Sequence, residues 1–131
     1  MITLLSDHDI EGKVFLLWGA VTTTGWLEMV PLRLLRFRDV ALPPDSPDRA
    51  VWRFAQANGM ILLTNNRNMA GIDSLEQTIR DENTPTSLPV ITIGDFDQVT
   101  DRAYRERCAA RLVEIVVYLD DYLGVGRMFI P

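Results

Sequence analysis

The chain of 131 residues contains one cysteine, one lysine and one histidine, and it has no long apolar run. A lone Cys108 cannot close an intramolecular disulfide, which excludes a bridge-stapled secreted scaffold. The longest mostly apolar stretch free of charge, residues 14–27, is 14 residues long and holds three threonines and two glycines. A bilayer span needs about 20 apolar residues, so no membrane segment is expected. The opening Met1-Ile2-Thr3-Leu4-Leu5-Ser6-Asp7 has no basic region and puts an acid where a signal peptide is hydrophobic, so the expectation is a cytoplasmic protein.

With a single lysine, positive charge rests on 12 arginines, set against 12 aspartates and 6 glutamates for a formal net charge of −5. That balance excludes tight, nonspecific binding of long nucleic acid through a basic face. The charge is uneven, however. Residues 1–68 carry 7 basic and 7 acidic side chains, and residues 69–131 carry 6 and 11. Between Arg33 and Arg67 lie six arginines (Arg33, Arg36, Arg38, Arg49, Arg53, Arg67) and three acids, a local charge of +3. Arginine's planar fork suits phosphate recognition, although a genome rich in arginine codons gives the same lysine deficit.

A chain of this length is one domain, residues 1–131, able to bury about two thirds of its unfolded surface. Residues 2–5 are a short apolar run that stops at Ser6-Asp7-His8-Asp9, as a buried strand running into a loop does. Residues 13–29 suit a helix weakened by Thr22, Thr23, Thr24 and Gly25 and ended by Pro31. Residues 32–42 alternate in part, as a half-wet strand does. Ser46 is placed as an N-cap with Pro47 at the first helical position, Asp48 at the positive helix end and Gly59 closing the helix. A second apolar run, residues 60–63, leads into Thr64-Asn65-Asn66-Arg67-Asn68. Asp73 or Ser74 caps a helix through about residue 81, and residues 89–93 form a third apolar run ending in Gly94-Asp95-Phe96-Asp97. Thr100 or Asp101 begins a long helix to Leu123, closed by Gly124, and residues 127–131 suit an edge strand. Strands and helices thus alternate, and the strands are continuously apolar. That pattern predicts an α/β fold with a three-layer parallel sheet and helices on both faces.

Three apolar strands end in short polar groups: Asp7 and Asp9, Asn66 and Asn68, Asp95 and Asp97. In an open parallel sheet these ends share one edge, where ligands bind at the topological switch point. Aspartate oxygens there suit a divalent cation. Asp and Asn also favour turns after strands, which accounts for any one of these groups by itself. His8, between two aspartates, is placed as a base or a ligand, or as a hydrogen-bonded structural histidine.

The run Asp48-Arg49-Ala50-Val51-Trp52-Arg53-Phe54-Ala55-Gln56-Ala57-Asn58-Gly59-Met60-Ile61-Leu62-Leu63-Thr64-Asn65-Asn66-Arg67-Asn68, with Leu4-Leu5-Ser6-Asp7, resembles small PIN-like proteins related to toxin-type ribonucleases. In that family an acid opens the helix, and the strand after it ends in a Thr-x-Asp-x-Asp pattern. The resemblance implies an edge where acids bind Mg²⁺ or Mn²⁺ and activate water to cleave single-stranded RNA, in a toxin–antitoxin setting. It places catalytic roles on Asp7, Asp48, Asn66 and Asp95, metal binding on Asp7, Asp9 and Asp95, and substrate phosphate on Arg49 and Arg67. Asn66 and Asn68 depart from the family: an amide keeps the carbonyl oxygen but loses the charge. A catalytically quiet PIN-like module that binds RNA or a protein partner is the alternative. Leu112, Ile115, Val116, Leu119 and Leu123 recur at helical spacing and offer core packing or a homodimer seam.

Asp7-His8-Asp9, Thr64-Asn65, Gly94-Asp95 and Asp101 also resemble the ordered motifs of haloacid-dehalogenase-type phosphatases. That likeness is broken by the short spacing of about 30 residues between Thr64 and Asp95 and by the missing lysine, since Lys13 comes too early.

Overall fold

A computed structural model describes residues 1–67 and 71–131, so the expectation for Asn68 lies outside the described residues. Five strands form one all-parallel sheet in the order β2-β1-β3-β4-β5: β1 (Ile2–Ser6), β2 (Leu32–Leu35), β3 (Met60–Thr64), β4 (Val90–Ile93) and β5 (Arg127–Ile130). The expected edge strand is therefore present. Every residue of β3 and β4 is buried, as continuous apolar runs in a covered parallel sheet should be.

Side chains alternate across the pleat, so each strand feeds two cores. Leu4, Ile61, Leu63, Ile91, Ile93 and Ile130 pack beneath α1 (Val14–Thr23) and α5 (Arg102–Val117). Leu5, Met60, Leu62 and Val90 pack beneath α3 (Asp48–Ala57) and α4 (Leu75–Glu82). These are the three layers that the sequence pattern predicts. With this strand order and these faces, β1-α1-β2, β2-α3-β3 and β3-α4-β4 share one hand, and β4-α5-β5 has the opposite one. Parallel crossovers are almost uniformly of one hand, so α5 is the exception, and it is what brings the longest helix against α1.

Several boundaries depart from expectation for local reasons. The helix expected over 13–29 breaks into α1 and α2 (Trp26–Met29). The hydroxyls of Thr22, Thr23 and Thr24 bond back to carbonyls of Gly19, Ala20 and Val21, and Gly25 takes a φ of +78°. The strand expected over 32–42 ends at Leu35, because Asp39 accepts from the Arg36 backbone N–H at 2.8 Å and folds Phe37–Val40 into a 3-10 turn. Phe37 then plugs the α3 core. Ser46 is not the cap of α3: its hydroxyl donates to the Pro43 carbonyl, and extended Pro47 takes the cap position, its carbonyl accepting from Val51. Ser74 and Asp101 do cap their helices, by accepting from Gln77 and Tyr104.

The helix expected to reach Leu123 stops at Val117 and continues as a 3-10 turn, Leu119–Tyr122. Gly124, at φ +83°, follows it. A Cβ there would lie 2.8 Å from the Pro85 carbonyl oxygen, so only glycine fits the close pass.

Leu112, Val113, Ile115 and Val116 are buried in the α1 core, so this part of the stripe packs within the chain, while Leu119 and Leu123 are half-buried. Cys108 is fully buried there too, and burial pushes its thiol up to about 11, the behaviour of a small hydrophobe. Leu112→Ala should cost about 2–5 kcal/mol of unfolding free energy in denaturant titration. Half-exposed Val117→Ala should change it by no more than about 0.5 kcal/mol. Similar costs for both would contradict the packing of α5.

Candidate functional site at the sheet edge

The C-terminal ends of all five strands lie along one edge. β1 and β3 are neighbours from which the chain departs in opposite directions, to β2 and to β4, so the switch point lies between them. The pairing of these two strands runs one residue past β1: the Asp7 backbone N–H donates to the Leu63 carbonyl at 2.9 Å. Asp7 is thereby held beside Thr64, whose hydroxyl donates to its Oδ2 at 2.6 Å, while the His8 N–H donates to Oδ1 at 2.8 Å. Thr64 Oγ1 also accepts from the Asn66 N–H at 2.9 Å. The Asn66 amide Nδ2 donates to Asp48 Oδ2 at 2.9 Å. That same oxygen accepts from the N–H of Leu75, the first residue of α4. One chain of hydrogen bonds therefore links Asp7, Thr64, Asn66 and Asp48, which come from three separate stretches of sequence.

Electrostatics at the edge are unbalanced toward acid. Burial pushes the Asp7 carboxyl above the usual carboxylate value, and the negative charges of Asp9 and Asp48 push it further; the Thr64 and His8 hydrogen bonds oppose this. Asp9 is exposed in the turn after β1 and acts on Asp7 through its charge.

Arg127, which the sequence reading missed, enters the same edge from β5. Its Nη1 donates to the Asn66 carbonyl and to Thr92 Oγ1, both at 2.7 Å, and its Nη2 lies 3.3 Å from Glu76 Oε2. Its side chain is only 9% exposed. Burial lowers its pKa, and Glu76 and Asp48 oppose that shift. The available signal was an arginine in the otherwise apolar Arg127-Met128-Phe129-Ile130: a charge in a covered strand needs a counter-charge.

The remaining candidates are placed elsewhere. Asp95 lies outside this hydrogen-bond chain: it accepts from Gln98 at 2.7 Å and holds the turn Phe96–Thr100, and its backbone N–H donates to the Tyr104 hydroxyl. It lines a small groove of about 180 Å³ with Asn65, Arg67 and Asp97, on the β4 side of the switch point. Arg49 is turned away from the edge. Its guanidinium is engaged by Asp73, Asp81, Glu82 and the Ile72 carbonyl at 2.6–3.0 Å, clamping α3 to α4, so it is not available to a phosphate at the edge. His8 pairs through Nδ1 with Glu11 at 2.7 Å and lies against the Phe37 ring, the structural role. Arg67 is exposed, and neither it nor Arg38 on the opposite flank makes an ion pair or hydrogen bond among the described residues.

Comparison with protein-family models, with curated proteins and with solved structures finds no match. The site's own chemistry therefore carries the functional argument.

Among the described residues, no three His, Cys, Asp or Glu side chains are grouped closely enough to form a metal cage. Mg²⁺ and Mn²⁺ do not require one: Mg²⁺ in particular is commonly held by one or two carboxylates, with waters completing the shell. Asp7 and Asp48, joined through Thr64 and Asn66 and repelling each other, fit such a weakly held, hydrated cation.

Asp7's charge is a burden on the fold. Its folded-state pKa lies above the unfolded value, so the stability given by protonated Asp7 is complete below the ordinary carboxylate range and is lost as pH rises through the raised value. Asp7→Asn should therefore melt at or above the wild-type temperature at pH 7, with the advantage fading toward pH 4 and below. A loss of several degrees at pH 7 in thermal melts would contradict this electrostatic account.

Proposed function

We propose that this chain is a PIN-like, ribonuclease-derived domain that acts on single-stranded RNA in the cytoplasm, with weakened metal-dependent cleavage at the β1/β3 switch point. The observation that carries the reading is the convergence of Asp7, Thr64, Asn66 and Asp48 on one hydrogen-bonded edge. Turn chemistry gives each residue a reason to follow its strand; it gives Asp48, in the first turn of a helix, no reason to meet Asn66.

In this reading Asp7 and Asp48 hold a Mg²⁺ or Mn²⁺ ion, which when bound lowers the pKa of a water and stabilises charge on a phosphodiester. Thr64 fixes the Asp7 carboxylate by donating to Oδ2, and the His8 N–H fixes Oδ1. Asn66 positions Asp48 through its amide. Arg38 lines a groove on the β2 flank and Arg67 one on the β4 flank, so a strand laid across the edge meets a free guanidinium on either side. The Asn66–Asp48 hydrogen bond favours a second reading, the quiet RNA-binding module. It gives Asp48 a neutral donor, so Asp48 has a hydrogen-bonding partner without a cation.

Cleavage of a labelled single-stranded RNA with Mn²⁺ or Mg²⁺ separates the two. Asp7→Asn should lower the rate at least about 100-fold, and Asn66→Asp should keep or raise it by returning a charge to the cation site. RNA binding by a wild type that never cleaves supports the quiet module, and a wild type that neither binds nor cleaves RNA overturns both. Turnover of a phosphomonoester dependent on Asp7 and Asp9 points to the phosphatase instead.

A further inference from the structure

Arg127 is the buried charge for which the fold alone gives no reason. Its Cα pairs with Val90 at the start of β4, two residues below Thr92, and its side chain spans the intervening 6.6 Å or so to reach the polar end of the sheet. On the way the guanidinium passes 5.9 Å from the centre of the Phe129 ring. At the top it meets three acceptors from three elements: the Asn66 carbonyl after β3, Thr92 in β4 and Glu76 in the first turn of α4. Only a planar fork can serve all three, and the guanidinium remains charged at any physiological pH. An apolar side chain would fill this space at lower desolvation cost. The charge is held 3.3 Å from Glu76, the first-turn acid of α4, and the charge of Asp48, the first-turn acid of α3, also favours it.

We infer that Arg127 is a fixed cation of this edge, which sets how tightly the edge holds a divalent ion by lying on the Asn66 carbonyl and beside the Glu76 carboxylate. The inference rests on the reading of the edge as a cation site, and it adds a residue that the edge carries in place of part of its metal charge. Asn66 and Arg127 then act in the same direction. One removes a negative charge, the other adds a positive one on the Asn66 carbonyl, and both lower the demand for an added ion.

The test is calorimetric titration of the intact protein with Mn²⁺ in the absence of RNA, with circular dichroism to confirm folding. Arg127→Gln removes a unit charge from the Asn66 carbonyl and the Glu76 carboxylate and should tighten Mn²⁺ binding at least about tenfold. Arg127→Lys keeps the charge and should stay within about threefold of wild type even if its melting temperature falls. Glu76→Gln leaves Arg127 without its counter-charge and should weaken binding at least about threefold. Unchanged or weaker binding by folded Arg127→Gln overturns the inference, as does the absence of Mn²⁺ binding in all four proteins. If Arg127→Gln does not fold, Glu76→Gln with wild-type affinity overturns it instead. Cleavage is not read here, so a tenfold shift in a protein that never cuts RNA sustains the inference while the nuclease reading fails.

Discussion

The candidate site depends on one backbone hydrogen bond, from the Asp7 N–H to the Leu63 carbonyl. It extends the parallel ladder of β1 and β3 one residue beyond the end of β1, so Asp7 has a fixed position relative to Thr64 where a loop residue would not. Parallel ladders are evenly spaced, and the next side chain on the same face of β3 is the Thr64 hydroxyl, 2.6 Å from the carboxylate. From there the order is handed on through the Asn66 N–H, the Asn66 amide, Asp48 and the N–H that opens α4. The same hydrogen bonds that end two strands and begin a helix thus fix the polar groups at the edge.

That arrangement has an electrostatic cost, which the fold meets from two directions. Helix N-termini point at this edge, and Asp48 and Glu76 sit in first turns, where the helix dipole favours an acid. Arg127 supplies a full charge beside Glu76, and that charge also acts on Asp48. Asp7 receives neither form of support. Its carboxylate is held by two hydrogen bonds while burial and two neighbouring acids act against it. A charge kept under those conditions is what the functional role proposed for Asp7 requires.

The strands were legible in the sequence because continuous apolar runs between turn residues have few other interpretations, and Ser74 and Asp101 were legible because N-capping is local chemistry. The meeting of Asp7 and Asn66 was legible through the rule that parallel strands share an edge, whereas Asp48, in the first turn of a helix, was placed with them only by the family resemblance. Other features were hidden by sequence distance. Arg127 meets Asn66 across 61 positions, and Arg49 meets its carboxylates across 24 to 33. Asp95 looked like a third member of the edge because it ends a strand as Asp7 does. Strand order does not bring it into the hydrogen-bond chain: β4 lies on the far side of β3 from β1, and Asp95 turns to its own 3-10 turn. Pro47 shows the smaller kind of miss. Proline suits both the first helical position and the extended residue before it, and here its ψ of 150° makes it the latter.

The charge asymmetry of the sequence also takes on a different meaning. Residues 33–67 are locally basic along the chain, but folding brings acids of the second half against them. Arg49 and Arg53 are neutralised by Asp73, Asp81 and Glu82, and Arg36 by nearby Asp39. What the segment leaves outside any ion pair among the described residues is Arg33, which donates to the Thr3 hydroxyl, and Arg38 and Arg67, one on each flank of the switch point. So few unpaired guanidiniums release few counterions, and the RNA binding proposed above would therefore gain little affinity from the backbone and show a shallow salt dependence. The net charge of −5 and an RNA-directed edge are therefore compatible. The acids of the second half give the protein its overall sign while fastening α3 to α4, and at the switch point Asp7 and Asp48 are joined through Thr64 and Asn66, whose backbone carbonyl is held by a buried arginine.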